Sequence, residues 1–136
     1  MVGVQSGAAG FCRKARESVN SSQIPLATPH SPMTMRAMFS HIVVFWTDPV
    51  NLNAADEFLA GANKLLKKIP GVLQFHAGKM TPSHRPAVEQ SYQVALNLIF
   101  PDKKAQDDYQ VHPQHVEFVE KYVKRLVKKV VVYDFE

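Results

Sequence analysis

The sequence predicts an α+β domain over residues 38–136, with strands and helices in the order β-α-β-β-α-β. Three observations carry this prediction. The stretch SYQVALNLIF (91–100) alternates strictly, with Tyr92, Val94, Leu96, Leu98 and Phe100 on one face and Gln93, Ala95, Asn97 and Ile99 on the other. Phe58, Leu59, Ala62, Leu65, Leu66 and Ile69 recur at helical spacing until Pro70-Gly71 stops them. FSHIVVFWT (39–47) and KVVVYDF (129–135) are dense in the β-branched and aromatic residues that suit strands.

The remaining elements follow in order. Asn53 offers an N-cap to the first helix, and Asp56 and Glu57 in its first turn complement the helix dipole. VLQFHAG (72–78) reads as the second strand, with Leu73, Phe75 and Ala77 on one face. TPSHRP (81–86) is a loop by its prolines. Pro101-Asp102 opens a short helix to about Val111, and Pro113 suits the first turn of another. That last helix is expected to bury Val116, Val119, Tyr122, Val123, Leu126 and Val127. Glu117–Lys121 and Glu120–Lys124 face water as i,i+4 pairs. The basic stripe Lys121, Lys124, Arg125 and Lys128 then reads as a solvated face paired with acids.

This order is the split βαβ, or ferredoxin-like, arrangement: a four-stranded antiparallel sheet with helices on one face. Ile42, Val44, Trp46, Ala95 and Ile99 would then lie on the helix-free face with no second layer above them. Such a face needs a cover. A second copy of the chain is the simplest one, which predicts a homodimer with the two sheets facing each other.

Charge and composition exclude several function classes. The chain has 136 residues and a net charge of +4. Residues 1–37 hold four basic residues against Glu17, and residues 38–136 hold 12 basic against 11 acidic. The domain is nearly neutral, so it lacks the basic face that nucleic-acid binding requires. No stretch approaches the roughly 20 apolar residues of a membrane span. The single Cys12 forms no internal disulfide and fits a reducing cytoplasm. Residues 1–37, rich in Ser, Pro, Gly and Ala, show neither period. They read as a disordered extension, a targeting peptide, or the product of an upstream start, with Met33, Met35 and Met38 just before the first strand.

Several segments together resemble the stress-responsive A/B barrel, or Dabb, family. They are HIVVFW (41–46), KKIPGVLQFHAGK (67–79), YQVALNLIF (92–100), YQVHPQHVEFV (109–119) and VVYDF (131–135). The resemblance implies a dimeric α+β barrel. Plant members include heat-stable stress proteins and olivetolic acid cyclase, which closes a polyketide chain by an aldol condensation without a cofactor. Carried over, Tyr109 and His115 of the YxxHPxH motif would be an acid/base pair, with His112 and His41 assisting. Val43, Phe45, Phe75, Val94 and Leu96 would line a ligand pocket. The sequence departs from the cyclase at Val94, where that enzyme has a pocket histidine, and in its bulkier Phe75.

The chemistry of these types is coherent. Histidine titrates near neutrality and can take a proton alpha to a carbonyl, and a tyrosine hydroxyl can stabilise the enolate. The same residues also suit plain packing, with Pro113 fixing the direction of the helix and the histidines capping it. No cofactor is implied. His41, His112 and His115 offer three nitrogens, but no carboxylate or cysteine is spaced to support a metal, so none is expected. Three functions remain open: a homodimer binding a small, partly apolar ligand; a cofactor-independent acid/base enzyme acting on a small aromatic or polyketide-like molecule; and a structural, stress-protective assembly.

Overall fold

A computed structural model describes residues 37–136. The readings made for residues 1–36 lie outside the described residues. Four strands, β1 (Phe39–Thr47), β2 (Gln74–Lys79), β3 (Val94–Phe100) and β4 (Val127–Phe135), form one sheet in the order β2-β3-β1-β4. Every neighbouring pair is antiparallel. Helix α1 (Ala54–Leu65) connects β1 to β2. Helices α2 (Lys103–Val111) and α3 (Pro113–Phe118) follow β3. A π-helical turn (Val119–Val123) and a last turn, α4 (Lys124–Leu126), lead into β4. This is the ferredoxin-like α+β arrangement expected from the element order.

Side chains alternate along β1 as the pleat requires. Phe39, His41, Val43, Phe45 and Thr47 are buried, while Ser40, Ile42, Val44 and Trp46 are half-buried on the other face. Residues opposite each other in register share a face. The inner face of β1 therefore continues into Leu98, Leu96 and Val94 of β3. Against it pack Phe58, Ala62 and Leu65 of α1, Tyr109 of α2, Phe118 of α3 and Leu126 of α4. Phe58 bridges the layers, 4.5 Å from the Phe45 ring and 5.0 Å from the Phe118 ring.

Element edges differ from the sequence reading for local reasons. Helix α1 ends at Leu65, and a turn closed by the Ile69 N–H on the Leu66 carbonyl carries the chain to Pro70. Leu66 and Ile69 stay buried within the turn that follows. Gly71, at φ +92°, takes a conformation other residues avoid, and regular β2 pairing starts only at Gln74. Strand β3 starts at Val94 rather than Ser91. Beside the bulge at Trp46/Thr47, the Gln93 side chain replaces the ladder and accepts from the Thr47 N–H at 2.8 Å.

The C-terminal helix corrects the expected face. Val116 is 48% exposed, and Phe118 is buried instead. The π turn explains the shift. It holds one extra residue, closed by the Lys124 N–H donating to the Val119 carbonyl. Counting back from Tyr122 and Leu126 at 3.6 residues per turn therefore misplaces the first half by one position. The i,i+4 pairs Glu117–Lys121 and Glu120–Lys124 are formed, and Arg125 and Lys128 meet Glu57 and Asp48. These exposed pairs add little stability.

The helix-free face carries Ile42, Val44, Trp46, Ala95 and Ile99, all half-buried. Register adds Val131, Tyr133 and Phe135 of β4, opposite Val44, Ile42 and Ser40. Lys129 Nζ lies 4.4 Å above the Trp46 ring. Among the described residues no helix is long and apolar enough to cross a membrane.

Candidate functional site

Three rings meet where β1 passes beneath α2 and α3. Tyr109 lies in the last turn of α2, His115 in the first turn of α3, and His41 on the inner face of β1. The Tyr109 and His115 centroids are 4.6 Å apart, and His41 stands edge-on to Tyr109 at 6.2 Å. Phe100 packs behind Tyr109 at 5.1 Å. The two helices are joined at His112, whose extended backbone breaks the helical path. Its Nδ1 accepts from the Gln114 N–H at 3.2 Å, capping α3, while Pro113 opens the helix without a wasted donor.

Hydrogen bonds fix both pocket histidines. His41 Nδ1–H donates to the Asp134 carboxylate at 2.6 Å. His115 Nδ1–H donates to the Gln110 carbonyl at 3.0 Å. Each acceptor can only accept, so each Nδ1 carries a hydrogen and Nε2 is left for other chemistry. Burial pushes the His115 pKa below its ordinary value. The Gln110 carbonyl opposes this shift, and the neighbouring His41 ring adds to it. Burial also pushes the Tyr109 phenol well above its ordinary value, so it stays a proton donor across the physiological range. Among the described residues no hydrogen bond engages the Tyr109 hydroxyl.

A cavity of about 140 Å³ opens beside these rings. Its walls are Val43, Phe45 and Leu96 from the sheet, Leu66 after α1, Phe118, Val119 and Val123 from the C-terminal helix, and Val130 and Val132 at the exposed edge of β4. His41, Tyr109, Gln110 and His115 supply its polar groups.

The residues expected at the site divide accordingly. His41, Tyr109, His115, Val43, Phe45 and Leu96 line the cavity together. His112 does not line it and serves as the α3 cap. Val94 is fully buried in the core, and Phe75 packs against the core from β2; neither reaches the cavity. Among the described residues no three potential metal ligands converge, so the three histidines do not form one ligand set. The sequence reading missed Asp134, which lies directly across the β1–β4 ladder from His41. It also missed Val119, Val123, Val130 and Val132 as cavity walls.

Comparison with known proteins agrees with this architecture. Residues 39–136 match the family described as the Stress responsive A/B Barrel Domain. A stress-response A/B barrel domain-containing protein of Arabidopsis thaliana is 31% identical over 99 residues, covering 71% of this chain and 84% of its own length. A Dabb family protein with a ferredoxin-like fold from Mesorhizobium loti is 29% identical, covers 73% of this chain and 95% of its own, and superposes with a TM-score of 0.61. A dimeric ferredoxin-like protein of unknown function from Jannaschia sp. CCS1 is 25% identical, covers 74% and 99% of the two chains, and gives a TM-score of 0.58. With 98 of its 136 residues inside the family match, the chain belongs to the stress-responsive A/B barrel domain family.

Proposed function

We propose that residues 38–136 form a homodimer whose protomers each bind a small, partly apolar molecule beside Tyr109 and His115. The cavity carries this reading: aliphatic walls with a few convergent polar groups are the usual composition of a small-molecule site. Its volume sets the scale. About 140 Å³ is close to the roughly 150 Å³ that holds one benzene, and below the 300 Å³ or more of a drug-sized site. A one-ring compound with a single carbonyl or hydroxyl fits better than a long polyketide.

A thermal-shift screen of small aromatic acids, aldehydes and quinones tests this. A ligand that raises the midpoint of the wild type and not of His115→Ala supports the site. Binding that survives in His115→Ala, Val43→Trp and Val123→Trp alike would move the ligand elsewhere.

A second reading, a cofactor-independent acid/base enzyme, is favoured by one observation. His41 is paired with Asp134 and His115 with a carbonyl, so both rings present a defined nitrogen, as general-base catalysis requires. A structural, stress-protective role has no comparable feature in its favour.

The homodimer is supported by the unlayered apolar face on β1, β3 and β4 and by the dimeric relative from Jannaschia. Val44→Asp and Ile42→Asp are expected to give monomers in sedimentation at micromolar concentration, where the wild type is a dimer. A monomeric wild type, or variants that remain dimers, would count against this face. The single cysteine and the near-neutral domain fit a cytoplasmic protein without a nucleic-acid partner.

A further inference from the structure

The π turn supplies one wall of the cavity, and its Tyr122 meets α1 at a single glycine. Tyr122 lies in the π turn, next to the wall residue Val123 and three positions after the wall residue Val119. Its ring rests directly on the backbone of α1 at Gly61. A Cβ added to Gly61 would lie 2.6 Å from Tyr122 Cε1 and Cζ, closer than real contacts allow. The ring also stacks on Phe118 at 5.6 Å, which in turn packs on Phe58. A side chain at position 61 must therefore displace the Tyr122 ring from α1. The C-terminal helix packs on α1, while Val130 and Val132 of β4 form the opposite wall of the cavity.

We propose that the Gly61–Tyr122 contact is the size determinant of the ligand cavity: it holds the π turn against α1 and keeps Val119 and Val123 apart from Val130 and Val132. Neither residue touches the cavity, so both are positioning residues. The inference rests on reading the cavity as a ligand site, and it adds which pair sets the size it accepts. π turns recur at functional sites because the extra residue redirects side chains that a regular helix would place elsewhere.

The test compares benzene and naphthalene binding by NMR titration in four proteins. These are the wild type, Gly61→Ala, Tyr122→Leu and the double variant. Gly61→Ala is expected to weaken benzene about tenfold or more, the scale of one methylene in an apolar pocket. The double variant should return to within about threefold of wild type. Tyr122→Leu should shift the benzene-to-naphthalene preference toward naphthalene by about tenfold. This ratio stays readable if Gly61→Ala does not fold, and general destabilisation does not move it. An unchanged ratio in Tyr122→Leu would overturn the inference and leave the ligand site standing. Benzene binding by Gly61→Ala at the wild-type affinity, or a double variant no better than Gly61→Ala, would do the same. A wild type that binds neither probe would overturn the inference, while the reading of the cavity as a ligand site stands or falls on the thermal-shift screen.

Discussion

Tyr109→Ala is expected to cost about 3–5 kcal/mol of stability, and Tyr109→Phe less than about 1.5 kcal/mol. The ring and the hydroxyl of this residue do separate jobs. The ring is 2% exposed and packs on Phe100, His115 and His41. Removing it opens a void among groups that belong to three elements and cannot all close in. A loss of that size is a large share of the 5–15 kcal/mol that holds a domain together, and it lowers the melting midpoint by roughly 15 °C or more. The hydroxyl has no hydrogen-bond partner among the described residues, so phenylalanine keeps the packing and leaves no group stranded.

Any function of the hydroxyl then appears cleanly in Tyr109→Phe. A ligand that accepts a hydrogen bond from Tyr109 should bind about tenfold more weakly to this variant, with the fold intact. Denaturant unfolding of both variants checks the stability half, and ligand titration checks the other. Equal losses of stability in Tyr109→Phe and Tyr109→Ala would mean that the hydroxyl is structural.

Much of this fold is legible in the sequence because the signals are local. The alternation in β1 and β3 needs only the pleat, and the start of α3 needs only Pro113. What the sequence hides is where a local rule is overridden. The extra residue of the π turn leaves no mark on composition, yet it moves His115 and Phe118 inward in place of Val116. The site divides in the same way. His41, Tyr109 and His115 are visible by their motif, whereas Asp134 is 93 positions from His41 and becomes a partner only through strand register. Once β1 and β4 are known to pair, counting from Val43↔Val132 places Asp134 opposite His41. The Gln110 carbonyl that fixes the His115 tautomer is backbone, so residue identity carries no signal for it.

For any substrate that the ligand screen brings to turnover, His115→Ala is expected to lower kcat by about 10²- to 10⁴-fold, the usual contribution of a positioned general base. Nδ1–H is committed to the Gln110 carbonyl, so the neutral ring carries its lone pair on Nε2. Burial keeps the folded-state pKa below the ordinary 6.5, so His115 remains unprotonated in mildly acidic solution where a free histidine is already charged. The acid limb of kcat against pH should therefore fall below pH 6.5 and vanish in His115→Ala. Stability has the matching sign. The unfolded chain binds this proton more readily than the folded one, so the contribution is complete above about pH 6.5 and is lost as pH falls from there toward the folded-state value. The wild type should lose more stability than His115→Ala over that interval. Asp134→Asn separates the two histidines: it alters the partner of His41 and leaves His115 bonded to Gln110. If the acid limb moves in Asp134→Asn and not in His115→Ala, the base is His41, and His115 serves to pack Tyr109.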